Sequence, residues 1–164
     1  MLFDLRVWLR FGLALLIFLL LMNTFAPRYI VRGQSMEPSI HNNERLLISP
    51  IPYLLEQPAR GDVIVFMRRP DDALIKRIIG LPGETVILSQ GRVYVNGAAI
   101  AEPYIDTPCQ VCADQVWQLG PEQYFVLGDN RNVSVDSHIF GPIHREQIVG
   151  QVLLRWWPQV QVMD

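Results

Sequence analysis

Beyond residue 28 the chain has no amphipathic stretch long enough for a stable helix, and turn formers interrupt it every few positions. Between the turns lie short β-branched or alternating runs: Arg28 to Val31, Arg45 to Ile48, Asp62 to Met67, Ala73 to Ile79, Thr85 to Leu88, Arg92 to Val95, Val116 to Leu119, Tyr124 to Leu127 and Ile148 to about Trp156. Leu81-Pro82-Gly83, Gln90-Gly91, Asn96-Gly97 and Gly120-Pro121 punctuate them, and Asn-Gly is a strong tight-hairpin signal. This pattern predicts a mainly β domain, an antiparallel β-barrel or sandwich. Ser49 to Arg60, with three prolines and Tyr53-Leu54-Leu55, reads as a loop laid over something apolar. Residues 101–115 read as a polar insertion. Trp156-Trp157-Pro158 closes the structured part, its indoles suited to core and rim or to a lipid headgroup layer.

A different rule governs the N-terminus. Phe11 to Met22 carries no charge, and Asn23-Thr24-Phe25-Ala26 extends it weakly, so the stretch covers about 24 Å of helix. A hydrocarbon slab of ~30 Å then places Trp8 and Leu9 at its boundary, with Arg10 reaching outward. Arg6 and Arg10 precede the stretch, which predicts a single transmembrane helix with a cytoplasmic N-terminus and everything after Arg28 exported. The chain divides accordingly into residues 1–27, cytoplasmic start and signal-anchor, and 28–164, exported β-rich domain. Two other readings are a cleaved signal peptide ending at Thr24-Phe25-Ala26 and a buried helix, which the lack of a polar face disfavours. The apolar anchor accounts for much of the mean hydropathy of +0.19. A net charge of −2 with no basic stripe gives no nucleic-acid partner.

Cys109 and Cys112 are too few for a four-ligand zinc site, and no histidine stands at finger spacing. No metal or other cofactor is expected. In an exported domain the pair suits a short-loop disulfide or two thiols in an insertion.

Chemistry concentrates in three places. Ser35 lies in Gly33-Gln34-Ser35-Met36-Glu37-Pro38, Lys76 in Leu74-Ile75-Lys76-Arg77-Ile78-Ile79-Gly80, and a polar loop runs Gly128-Asp129-Asn130-Arg131-Asn132-Val133-Ser134-Val135-Asp136-Ser137. A serine hydroxyl needs a base to act as nucleophile. His138 beside Asp136 raises the Ser-His-Asp alternative, but nothing around His41, His138 or His144 marks a buried base. Lys76 shares its strand face with Leu74 and Ile78, and burial among aliphatics depresses an amine's pKa towards the useful range. A lysine guarding a sheet edge is the bland alternative.

Together these motifs resemble type I signal peptidases, membrane-bound serine proteases with a Ser-Lys dyad. The likeness spans the anchor, the Ser35-Met36-Glu37-Pro38 box, Arg60-Gly61-Asp62-Val63-Ile64-Val65-Phe66, the Lys76 strand and the Gly128 to Ser137 loop. It implies Ser35 as nucleophile, Lys76 as general base, Ser134 as the hydroxyl orienting the lysine amine, and Asp129, Arg131 and Asp136 as braces. Asp136 would raise the pKa of Lys76 by contact, so a pairing with Arg131 or another cation is expected. Gly128 and Asn130 suit a turn with positive φ.

Two departures from the family pattern stand out. Gly33 occupies a place where some members donate a serine hydroxyl to the oxyanion, leaving backbone N–H groups, chiefly that of Ser35. His138 replaces an arginine common in bacterial members, so a brace to Asp136 would be pH-dependent or absent. The implied partners are signal peptides of secreted preproteins and the lipid bilayer of a bacterial plasma membrane or thylakoid. The peptide would add as a strand between Tyr29 to Gln34 and Asp72 to Ile75, with Val31, Met36, Ile40, Leu74 and Ile75 walling shallow pockets. The alternatives are a conjugation-type processing peptidase of the same superfamily and a non-enzymatic membrane-anchored β binding module.

Overall fold

The computed structural model describes the backbone of residues 5–25 and 28–162, and side chains over 7–17 and 29–162. A helix α1 (Leu5–Phe25) comes first. The proposed boundary at 27 and the Ala26 end of the cleavage-site alternative fall outside the described residues. Among those residues no helix is long and apolar enough to cross a membrane.

The rest is β. The strands are β1 (Arg28–Ile30), β2 (Arg45–Ser49), β3 (Val63–Arg69), β4 (Asp72–Gly80), β5 (Thr85–Ser89), β6 (Arg92–Val95), β7 (Ala98–Ala99), β8 (Gln115–Gln118), β9 (Gln123–Leu127), β10 (Ile143–His144), β11 (Ile148–Trp157) and β12 (Gln161–Val162). Two one-turn helices, α2 (Pro52–Leu55) and α3 (Ser137–Phe140), and a 3₁₀ turn at Arg145–Gln147 join them. One sheet runs β1-β2-β11-β3-β4-β9-β10 with β12 on β11; the other runs β7-β6-β5-β8. Every pairing is antiparallel.

The strand sequences explain the layering. Val63 to Phe66 is buried throughout because β3 is covered on both faces. Val63 and Val65 enter a core with Val31, Met36, Ile40, Leu46 and Ile48, while Ile64 and Phe66 enter a second with Ile78, Tyr124 and Val126. A third core joins Ile79, Phe125 and Leu127 of the large sheet to Val86, Leu88, Val93 and Val95 of the small one. Adjacent strands packed on two faces read as continuous apolar runs, not alternating ones.

Two expectations need correcting. The structured part continues past Trp156-Trp157-Pro158, since β12 folds back on β11 at Leu154 and Arg155. Arg45 lies over both indoles, 5.4 Å from the ring of Trp156 and 5.9 Å from that of Trp157. The 49–60 segment is not all loop, because Pro52, with its φ pre-set, opens α2. Tyr53 packs on a core and its hydroxyl bonds Asp62 at 2.8 Å, and Pro58 is buried, while Leu54 and Leu55 are exposed.

Candidate active site

Residues 41 apart in sequence meet where the loop carrying Ser35 crosses β4. The Lys76 amine lies 2.7 Å from Ser35 Oγ and donates to the Ile75 carbonyl at 2.9 Å. Lys76 is 2% exposed. Its flanks explain this: Leu74 and Ile78 belong to one core and Ile75 to another, so the amine sits where apolar layers converge. Burial lowers its pKa from 10.5 to about 8, against the opposing pull of the Asp136 and Asp129 carboxylates. Arg77, next in the strand, cannot lose its charge and is handled differently. Its guanidinium grips Asp129 at 2.9 and 2.8 Å, donates to the Gly61 carbonyl at 2.8 Å and lies 4.1 Å from the Tyr104 ring centroid.

The Gly128 to Ser137 loop is clamped to the loop carrying Ser35. The Asn130 N–H donates to the Ser35 carbonyl at 3.1 Å. Gly128 is required for proximity and not for a left-handed turn: neither it nor Asn130 has positive φ, whereas a Cβ on Gly128 would collide with Ser134 Oγ and the Ser35 carbonyl oxygen. The Asp136 carboxylate accepts the Gly128 N–H at 2.8 Å and the His138 imidazole at 2.7 Å, and its residue caps α3. Asp136 thus pairs with His138 and not with Arg131, because Glu102 from the insertion claims the Arg131 guanidinium, with one bond of 3.0 Å. Arg131 Nε also donates to the Gly128 carbonyl at 3.1 Å.

Ser134 is 3% exposed, beside Gly128, and its hydroxyl has no hydrogen-bond partner. The expected bond from the lysine amine is not made: the two contacts of that amine are to Ser35 Oγ and the Ile75 carbonyl. Among the described residues no hydrogen bond joins Ser35 to His41, His138 or His144; His41 faces Glu44, and His144 closes the turn with Gln147. The Gly33 N–H is taken by Asn42 at 3.1 Å.

A cleft of about 230 Å³ opens at Ser35 and Lys76, between residues 29–36 and 73–76. Val31, Met36, Leu74 and Ile75 line it. Ile40 does not: it is fully buried in the core beneath. Both walls carry unpaired backbone. β1 bonds only β2, and β4 bonds β9 only from Arg77 onward, so its stretch before Lys76 has one open edge among the described residues.

Sequence reasoning missed Glu102, Tyr104 and the Asp129 partner Arg77. The only signal for Arg77 was its place beside Lys76 on a strand whose other face is apolar.

On an antiparallel β frame, a serine hydroxyl against a dry lysine amine is the arrangement of the serine–lysine hydrolase class. The comparisons agree and narrow it. The family model described as "Signal peptidase, peptidase S26" matches residues 5–157, and the chain belongs to that family. It is 42% identical to a probable signal peptidase I-2 of Synechocystis sp., over 96% of this chain and 77% of that protein. It is 40% identical to a signal peptidase I of Leptolyngbya laminosa, over 90% and 76%. A crystal structure of signal peptidase I from Enterococcus faecalis is similar with a TM-score of 0.52 at 32% identity, covering 59% of this chain and 97% of that one.

Proposed function

We propose that the protein is a membrane-anchored serine endopeptidase that removes signal peptides from exported preproteins, with Ser35 as nucleophile and Lys76 as general base. The observation that carries this is the 2.7 Å contact between Ser35 Oγ and a buried amine whose pKa is lowered to about 8. In the reactive form the lysine is neutral and Ser35 donates its proton to the nitrogen lone pair. One N–H of the amine is left over for the unpartnered Ser134 hydroxyl, which orients the amine without stabilising its charge as a carboxylate would. Ser35 attacks the scissile carbonyl, the Ser35 N–H supports the oxyanion, and the lysine ammonium returns the proton to the leaving amine. Water, deprotonated by the same lysine, releases the acyl group. Asp129, Arg131 and Asp136 hold the loop that carries Ser134.

The substrate peptide enters the cleft extended and bonds the open edges of β1 and β4. Small residues suit the shallow walls of Val31, Met36, Leu74 and Ile75. Ile75→Ala enlarges that wall, so cleavage of a peptide series should shift towards larger residues before the scissile bond. Unchanged ranking would remove Ile75 from the specificity pocket.

Support for the anchor comes from α1: every described side chain from Val7 to Ile17 is exposed, Leu13, Leu15, Leu16 and Ile17 among them. Such a surface is unfavourable in water and favourable in lipid. Arg6 and Arg10 orient the N-terminus to the cytoplasm, which puts the site on the exported face.

A serine-reactive acylating probe tests the assignment in detergent: labelling at Ser35, abolished in Lys76→Ala, is expected. A folded wild type that neither labels nor cuts a preprotein overturns it. Activity should climb with pH through about 8, because only the neutral amine accepts a proton and its fraction grows across its pKa. A kcat/KM profile flat from pH 7 to 9 would separate Lys76 from proton transfer.

A further inference from the structure

We infer that residues 102–112, pinned near their C-terminal end by the Cys109–Cys112 disulfide, form a clasp that positions the Asp129 to Ser134 turn for cleavage, and that opening the disulfide with a dithiol lowers turnover. This rests on the function proposed above, which assigns that turn to the active site.

The segment looks like a dispensable polar insertion, yet its contacts converge on one target. Glu102 takes the guanidinium of Arg131 and also accepts the Tyr104 hydroxyl at 3.1 Å. The Tyr104 ring covers the Arg77 guanidinium that holds Asp129. Cys109 Sγ meets the Arg131 carbonyl at 3.5 Å, and the Gln110 N–H donates to the Asn132 side chain at 2.7 Å. Asn132 in turn reaches Thr107 at 3.4 Å. Five residues of the segment, Glu102, Tyr104, Thr107, Cys109 and Gln110, therefore face residues 129–132 or their direct partner Arg77. From there one step leads to the nucleophile, because Asn130 bonds the Ser35 carbonyl.

The disulfide ties Cys112 back to Cys109 at the C-terminal end of this grip. Cys109 is fixed to the body of the protein: it is 6% exposed, its N–H bonds the Gly91 carbonyl at 3.2 Å, and Gly91 leaves no room for a Cβ against it. Cys112 packs on the core between the sheets and is only half-buried, which gives a reductant access. Just beyond it, Asp114 is tied to Ser89 and Gln90 at 2.8 Å each. Between those fixed points the segment has no strand or helix of its own. The covalent link is what shortens the loop from which Gln110 reaches Asn132.

The chemistry balances with a dithiol as reductant. One dithiol thiolate attacks a cystine sulfur, the S–S bond breaks, and the second thiol displaces the mixed disulfide. Two electrons and two protons pass to Cys109 and Cys112 as thiols, and the dithiol leaves as its own disulfide.

The test uses the full-length protein in detergent, oxidised, then reduced with dithiothreitol, then reoxidised, with thiols counted at each stage. On reduction, kcat is expected to fall by about tenfold with KM little changed, within the ~10²-fold that a 1 Å misplacement of catalytic groups costs. Amide exchange at Asn130, Val133 and Ser134 should quicken in step, and reoxidation should restore both. Cys112→Ser should match the reduced enzyme and ignore dithiothreitol. Tyr104→Phe, which keeps the ring over Arg77, should stay near wild type where Tyr104→Ala does not. Two free thiols with unchanged kcat and unchanged exchange overturn the clasp. If the oxidised wild type cuts nothing, the functional reading fails, while exchange at residues 130–134 still decides the clasp on its own.

Discussion

Lys76→Met is expected to yield a protein that no longer cuts preproteins yet unfolds at a higher temperature than the wild type at neutral pH. The loss in kcat/KM should be roughly 10²- to 10⁴-fold, the usual worth of a positioned base, and Lys76→Arg should not recover it, because a guanidinium keeps its proton. The gain in stability follows from linkage. Lys76 titrates at about 8 in the folded protein and at 10.5 when exposed, so between those values the unfolded chain binds more protons than the folded one. Wild-type stability therefore rises across that window, and below it burial of the ammonium costs about 3 kcal/mol. Methionine fills similar space without a charge, so the variant's advantage should be largest below pH 8 and shrink towards 10.5. Thermal unfolding of both proteins at pH 7 and pH 10 measures it. His138→Ala provides the contrast: it removes a partner of Asp136 but no group in contact with Ser35, and most cleavage should survive.

The second large effect is structural. Asp129→Ala leaves the Arg77 guanidinium, 4% exposed, without its carboxylate. Removing one member of a buried pair typically costs about 3–5 kcal/mol, because the remaining charge stays dry and unpaired. Urea unfolding should show a loss of that size. Replacing both members, Arg77→Met with Asp129→Leu, should recover much of the stability but not the cleavage, since the loop carrying Ser134 would lose its brace. A double variant as unstable as the single one would argue that the Gly61 carbonyl and Tyr104 contacts, and not the ion pair, hold the region together.

Most of the strands could be read from the chain because their signals are local. Asn96-Gly97, Leu81-Pro82-Gly83 and Gly120-Pro121 mark turns whatever the fold, and Val63 to Phe66 is apolar enough to demand burial on both faces. The Gln90-Gly91 turn made the β5–β6 hairpin legible, but the division into two sheets was not, since nothing in either strand says that the hairpin pairs with β8 and not with β4. Ser35 and Lys76 stood out through their motifs, whereas the partners of the charged residues did not. Arg131 meets Glu102, 29 positions away, and Asp136 meets His138, two away; residue type alone ranks these pairings equally. Gly128 illustrates the same limit, as its glycine suggested backbone freedom while the folded protein uses its missing side chain. Ile40 was placed in a pocket wall because it is apolar and near Ser35, but its side chain turns into the core.

The open edges of β1 and β4 bear on how such an enzyme could be blocked. Donors and acceptors at peptide spacing flank the cleft on both sides, and Val31, Met36, Leu74 and Ile75 supply apolar parts of its walls. Recognition of this kind reads the main chain more than the sequence. A tight inhibitor therefore need not copy any one signal peptide. A short, rigid, extended scaffold with a small end group and an electrophile set over Ser35 meets the same demands, and stiffening it before it binds is the most direct way to raise its affinity.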